Sequence, residues 1–417
     1  MSHHDLILFF VQVCTMLGVA LVCGQLMRKL HQPAVLGELI GGVLLGPTIF
    51  GMLAPVAYSN LFHGSEVATT GRDAVIRLGL LFFMFVAGLE VDMAHVIQRG
   101  LSVVATSILG IVVPFALGFG LVLAAPALFG TQAQGRAMLF AVFMGMAMSI
   151  SAIPVIARIL MDLDLMKTEL GTVVMAAATI DDLVGWSLFA VILSRFAPGG
   201  LHTGGPLVTV GVVLGLFAVI LTLGRWVGPR ALHWLQSHLN WPSGFIGVTT
   251  MLVLLAASIT EALGIHAVFG AFLVGVALAE TSEAWAQAHD VVYQFAISLF
   301  APLYFVSVGL KADFIANFDL PLVLVVLLIA CLGKIVGAGL GARLGGMPPR
   351  QALAVGFGMN ARGAMEMILA SVALEYGLID QRVFVALVVM ALVTSMLSGP
   401  MMQRLLGAKP SPALAPA

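Results

Sequence analysis

Two adjacent carboxylates, Asp181 and Asp182, sit near the middle of Thr172 to Arg195 (TVVMAAATIDDLVGWSLFAVILSR), an apolar run long enough to cross a bilayer. One charge at the centre of a spanning helix costs about 2.5–3.5 kcal/mol on insertion scales, so intramembrane acids read as functional by default. Neighbours in sequence lie about 100° apart around a helix. The two acids therefore face different partners, one a cavity and the other an adjoining helix. Lys334 falls inside a second apolar run, LVLVVLLIACLGKIVGAGLGARL (Leu322 to Leu344), several residues from either end, which is deep for a snorkelling amine. Two buried acids and one buried base form the smallest group able to bind a cation and trade it for protons. Arg362 and Glu366 stand at i and i+4, on one helix face, and read as a structural ion pair. Aspartyl-protease chemistry needs two aspartates on different helices meeting across a water. These are neighbours on one helix, so no enzyme is expected.

The elements that must hold these residues are spanning helices. The chain of 417 residues is 60% hydrophobic and 9% charged, against about 25% charged in soluble domains, so the expected class is an all-α polytopic membrane protein. Basic runs are absent, which removes the electrostatic case for nucleic acid. The cysteines, Cys14, Cys23 and Cys331, lie in apolar runs and suggest neither a disulfide framework nor a metal cluster. Asp5 stands where a signal peptide carries basic residues, so Leu6 to Met27 is expected to be a retained first span. Thirteen stretches qualify as spans, near 5–27, 34–51, 74–91, 101–129, 136–160, 168–196, 206–227, 244–261, 264–280, 293–310, 319–342, 351–376 and 382–405. Odd-numbered connections and the tail hold eleven Lys and Arg against six in the even-numbered ones, which places the N-terminus outside and the C-terminus inside.

An internal repeat accompanies the spans. Ala34 to Leu45 (AVLGELIGGVLL) matches Ala267 to Leu278 (AVFGAFLVGVAL) at six of twelve positions, and Gly88-Leu89-x-x-Asp92 recurs as Gly309-Leu310-x-x-Asp313. The shift is seven spans, an odd number, so the copies must run in opposite directions through the membrane, as in secondary transporters built from inverted repeats. Spans five (MGMAMSISAIPVIARIL) and twelve (VGFGMNARGAMEMILA) combine Pro or Gly with small polar residues, which predicts two broken helices. Gly37-x-x-x-Gly41 and Gly337-x-x-x-Gly341 mark close helix contacts. Glu38 is a candidate cavity-lining acid, His266 a hydrogen-bonding residue, and the methionines of spans five and twelve packing.

Six stretches carry a family resemblance: QPAVLGELIGGVLLGP (Gln32 to Pro47), LFFMFVAGLEVD (Leu81 to Asp92), ATIDDLVG (Ala178 to Gly185), HAVFGAFLVGVAL (His266 to Leu278), LGKIVG (Leu332 to Gly337) and MNARGAMEMILA (Met359 to Ala370). With them the chain resembles the bacterial sodium/proton exchanger domain of the monovalent cation:proton antiporter superfamily, in the branch with an Asp-Asp motif. The resemblance implies thirteen spans, two crossed broken helices, a homodimer in the inner membrane and an elevator motion, with no cofactor. Carried over, residues 101–196 and 319–405 would be the transport core, 1–91 and 244–310 the dimer domain, 206–227 the linker and 406–417 a cytoplasmic tail. Asp182 would carry the cation and the proton, Asp181 would pair with Lys334, and Ser149 and Ser151, with carbonyls of span five, would add oxygen ligands for an alkali cation. Relatives gated by a cytoplasmic nucleotide-binding domain carry Gln-Asp where this chain has Asp-Asp, so no such regulatory domain is expected here. Na⁺ is the expected cation. MNARG also resembles potassium/proton exchangers, which keeps Li⁺ and K⁺ open, and proton- or sodium-coupled export of an organic solute is the rival on the same scaffold.

Overall fold

The computed structural model describes residues 2–30, 32–89, 100–130, 137–193, 243–263, 266–279 and 286–407, with a few single positions between 211 and 230. Among them every regular element is helical. In chain order these are α1 (His3–Lys29), α2 (Ala34–Leu45), α3 (Phe50–Leu53), α4 (Pro55–Phe62), α5 (Glu66–Leu89), α6 (Gly100–Ala124), α7 (Ala137–Ala147), α8 (Ile153–Asp162) and α9 (Glu169–Leu193). There follow α10 (Ser243–Ala262), α11 (Ala267–Ala279), α12 (Ala286–Phe295), α13 (Ala301–Leu310), α14 (Leu320–Leu344), α15 (Pro349–Met359), α16 (Ala364–Glu375) and α17 (Gln381–Leu406). A π turn over Ala296–Phe300 joins α12 to α13. Twelve of the thirteen sequence spans fall on these helices; the seventh, near 206–227, lies almost wholly outside the described residues, as do Asp92 and residues 408–417. By length and composition, seven helical stretches among the described residues are fit to cross a membrane, five of them single helices and two, Ala34–Leu53 and Asp290–Leu310, made of consecutive elements.

The connection after the second span differs from the sequence reading, because it too is helical. Pro55 opens α4, where its missing N–H costs nothing. Gln12 reaches from α1 to donate to the Leu61 carbonyl (2.6 Å), and Tyr58 meets Phe50 edge-on at 6.1 Å. α5 then starts at Glu66, eight residues before the expected 74.

The chain divides into two compact units, residues 1–92 with 190–313 and residues 93–189 with 314–417. In the first, glycines set the helix spacing. A Cβ on Gly42 of α2 would lie 2.2 Å from the Val306 carbonyl of α13, and one on Gly309 only 2.4 Å from the Gly42 backbone. The same relation joins Gly88 of α5 and Gly275 of α11, where an added Cβ would fall 2.2 Å and 2.1 Å from backbone oxygens of Phe272 and Phe85. In the second unit, Gly333, Gly337 and Gly341 bring α14 onto α6, with added Cβ atoms falling 2.8, 2.4 and 2.3 Å from the backbone of Pro114, Leu109 and Ala105. Small residues are how helices approach closely where lipid offers no hydrophobic drive. An apolar core of Ile156, Leu160, Val174, Ala177, Met359 and Met402 packs beneath the breaks described below. At one end Asp319 and Asp380 cap α14 and α17 through the Leu322 and Val383 amides, and Arg382 ties the two helices by a 2.6 Å bond to Asp319.

Gly309→Ala is expected to destabilise the protein by about 1–3 kcal/mol, the usual cost of overpacking a tight contact. Gly18→Ala, inside α1 where nothing lies within 4 Å, should leave stability unchanged or raise it by up to about 1 kcal/mol. Thermal unfolding in detergent checks both, and equal melting temperatures for the two would contradict the packing.

Candidate functional site

Two helices of the second unit are interrupted where the sequence predicts breaks. α7 stops at Ala147 and α8 begins at Ile153, with Pro154 within its first two positions; a proline there has no amide with which to continue α7. α15 stops at Met359, and Asn360 to Gly363 precede α16. The two breaks satisfy one another: the Ala152 amide donates to the Ala361 carbonyl at 2.9 Å, and the Ser151 hydroxyl donates to the Met359 carbonyl at 2.8 Å.

Arg362 lies in the second break and is fully buried. Its guanidinium donates to the carbonyls of Ala147 (2.7 Å), Met148 (2.5 Å) and Ile150 (3.4 Å). It therefore caps the carbonyl end of α7, where the helix dipole favours a cation. Glu366 is 3.7 Å away, close enough for an ion pair but too far for a hydrogen bond. The sequence reading found the pair and missed the larger role, because the partners are main-chain carbonyls in a distant span. The Arg362 amide is held in turn by Ser395 of α17 (3.2 Å).

Lys334 of α14 and Asp181 of α9 lie 2.5 Å apart, both fully buried. The ammonium also donates to the Gly110 carbonyl of α6 (2.9 Å) and to the Ser149 carbonyl in the first break. That uses all three of its donors. Asp181 accepts at Oδ2 from Lys334 and at Oδ1 from Ser107 (3.2 Å), and the Ser151 hydroxyl, whose single proton is shared with the Met359 carbonyl, lies 3.1 Å from Oδ2. Asp182 follows on the same helix, 2% exposed. A cavity of about 10 Å³, lined in part by Ile111, Phe115, Ser149, Ile150, Asp181 and Gly185, has room for about one water. Asp181, Ser151 and Lys334 are thus brought together. The Ser149 hydroxyl lies between the carbonyls of Gly145 (2.7 Å) and Ile111 (3.1 Å), and its own carbonyl meets Lys334. Ser107 and Gly110 were missed, since a serine and a glycine in an apolar helix carry no signal of their own.

Glu38 and His266 lie in the other unit. Glu38 is buried on α2. The His266 ring, through Nδ1, accepts from the Val268 amide (3.3 Å) at the start of α11, a hydrogen-bonding role.

A family model described as "Sodium/hydrogen exchanger, transmembrane" matches residues 17–408. The Na(+)/H(+)-K(+) antiporter GerN of Bacillus cereus is 32% identical over 411 residues, covering 96% of this chain and 97% of that protein. Cation/H(+) antiporter 18 of Arabidopsis thaliana is 35% identical over 407 residues, covering 94% of this chain. The chain spans 48% of that plant protein's length, about half. A solved structure, the sodium proton antiporter MjNhaP1 from Methanocaldococcus jannaschii, superposes with a TM-score of 0.67 at 16% identity, covering 97% of this chain and 100% of that one. That likeness is one of fold.

The carbonyl cap yields a prediction that separates it from the ion pair. Arg362→Lys keeps the charge, but a single ammonium cannot reproduce the planar fork that spans these carbonyls; it should lower the melting temperature sharply. Glu366→Gln should lower it much less. A larger loss in Glu366→Gln than in Arg362→Lys would return the main role to the ion pair.

Proposed function

The chain belongs to the sodium/hydrogen exchanger family, and we propose that it exchanges a monovalent cation for protons across the inner membrane. The observation that carries this reading is the buried Asp181–Lys334 pair, with Asp182 beside it, at the meeting of two broken helices. Asp182 is the carrier. It binds either a proton or, with Asp181, the Ser151 hydroxyl and the Ser149 carbonyl, an alkali cation. Na⁺ is the first substrate; K⁺ is the alternative, supported by the likeness to GerN, an Na(+)/H(+)-K(+) antiporter. The site is held by helices of residues 101–196 and 319–405, which act as the moving core of an elevator. Residues 1–91 and 244–310 are its dimer-forming counterpart, and the N-terminus faces outside.

Inverted repeats are supported by the glycine contacts. The repeat relates Gly42 to Gly275 and Gly88 to Gly309. Gly42 packs on Gly309 and Gly275 on Gly88, so exchanging the copies maps one contact onto the other.

Counting charge gives the stoichiometry. With protons loaded, Asp182 is neutral and Asp181⁻ balances Lys334⁺. A cation entering between the carboxylates draws Asp181 away, leaving the ammonium in a low-dielectric site without its counter-charge, at a cost of several kcal/mol. Lys334 sheds its proton instead. Two protons then leave for each cation, and turnover moves net charge.

Asp182→Asn should abolish cation-driven collapse of a preset pH gradient in proteoliposomes while the protein stays folded, since an amide cannot titrate. Full activity in that variant would move the carrier elsewhere, with Glu38 next to be examined. Because proton and cation compete for one carboxylate, apparent cation affinity should weaken as pH falls, and an affinity that is flat from pH ~5 to ~9 would contradict competition. Imposing a membrane potential should change the wild-type rate, whereas a rate indifferent to voltage would exclude the two-proton scheme.

A further inference from the structure

Among the described residues, Lys334 draws one of its three acceptors from the middle of an otherwise continuous helix, which needs an explanation. α6 runs unbroken from Gly100 to Ala124 with Pro114 inside it. In an α-helix the carbonyl of residue 110 would accept from the amide of residue 114. Proline has no amide hydrogen, and its ring pushes the carbonyl four residues back out of line. The carbonyl so released is that of Gly110, and the Lys334 ammonium donates to it at 2.9 Å.

The neighbouring contacts fit the same design. Gly333, the residue before Lys334, seats α14 directly on the proline, where an added Cβ would lie 2.8 Å from the Pro114 Cα and 2.9 Å from its Cβ. The next side chain along α14 is thereby delivered to the carbonyl that the proline released. Ser107, Gly110 and Pro114 are spaced i, i+3 and i+7, along one helix face. From that face Ser107 donates to Asp181 (3.2 Å) and Gly110 accepts from Lys334. In hydrocarbon a helix tolerates proline only where another group takes up the freed backbone oxygen; here that group is the charged lysine of the site.

We propose that Pro114 is a positioning residue for Lys334, acting through the Gly110 carbonyl to stabilise the protonated amine. Its consequence for transport rests on the exchange reading above, while the contact itself does not. Restoring an amide at 114 returns the carbonyl to the helix and weakens the lysine's third bond. The ammonium is then less stable relative to the amine, so proton release occurs at lower pH.

Three forms test this: wild type, Pro114→Ala, and a protein carrying the α-hydroxy analogue of alanine at 114, whose ester linkage lacks the N–H as proline does. In proteoliposomes Pro114→Ala should shift the pH profile of exchange toward acid by about one unit, a tenfold change in proton concentration, and the ester form should stay with wild type. Equal shifts in the alanine and ester forms, or no shift in either, would overturn the proposal, because the ring and not the missing amide would then matter or neither would. Melting temperature supplies a readout independent of transport. Pro114→Ala should raise it more in a Lys334→Met/Asp181→Asn background, where the Gly110 carbonyl has lost its donor, than in the wild-type background, where the restored helical bond is offset by the weakened lysine bond. The same change in both backgrounds would also overturn the proposal. A wild-type protein that exchanges no cation for protons would sink the transport reading, and the melting comparison would still decide the role of Pro114.

Discussion

Hydrocarbon offers a peptide carbonyl no water, and the second unit is arranged around that constraint. Interrupting a helix inside a membrane exposes main-chain oxygens, each of which costs several kcal/mol if left unbonded. Here the carbonyls of residues 147, 148 and 150 are taken by Arg362 and that of 149 by Lys334. Resident cations thus keep the broken helix open. Lys334 also brings positive charge against Asp181, so part of the solution to the backbone problem also makes a buried acid tolerable in that span. Structure and proposed chemistry draw on one set of charges, which is why neither break stands without the other.

Much of this was legible in the sequence because hydropathy and forbidden charges are strong signals. The positions of the spans, the breaks in spans five and twelve and the isolation of Asp181, Asp182 and Lys334 all follow from what lipid excludes. Carbonyls of span five were expected at the site, but which donors they would meet stayed hidden: the Ser149 carbonyl accepts from Lys334. Arg362 looked like a partner for Glu366 because i, i+4 spacing is visible in one dimension, whereas its bonds to residues 147–150 cross more than two hundred positions. The helix at Pro55–Phe62 was missed for another reason. It is short, and its stability comes from contacts with α1 and Phe50 more than from its own periodicity.

The glycines show how little side-chain volume the scaffold allows. In the first unit the contacts at Gly42–Gly309 and Gly88–Gly275 leave no room for a methyl group, and in the second α14 rests on α6 through three glycines one turn apart. Such contacts fix the distance between helices to within a few tenths of an ångström. That precision is what a three-ligand ammonium site requires, since hydrogen bonds weaken steeply once stretched or bent.

The make-up of the Lys334 cage has a consequence for heredity. Two of its three acceptors, at residues 110 and 149, are peptide oxygens, which every amino acid possesses. No codon change at those two positions deletes the oxygen, and a catalogue of tolerated side chains there would record steric limits and nothing of charge. The information that makes these oxygens ligands is stored elsewhere, in prolines and small residues that decide which carbonyls a helix keeps for itself. A site of this kind drifts by changes of backbone course, and its loss would appear first at positions that bear no functional group at all.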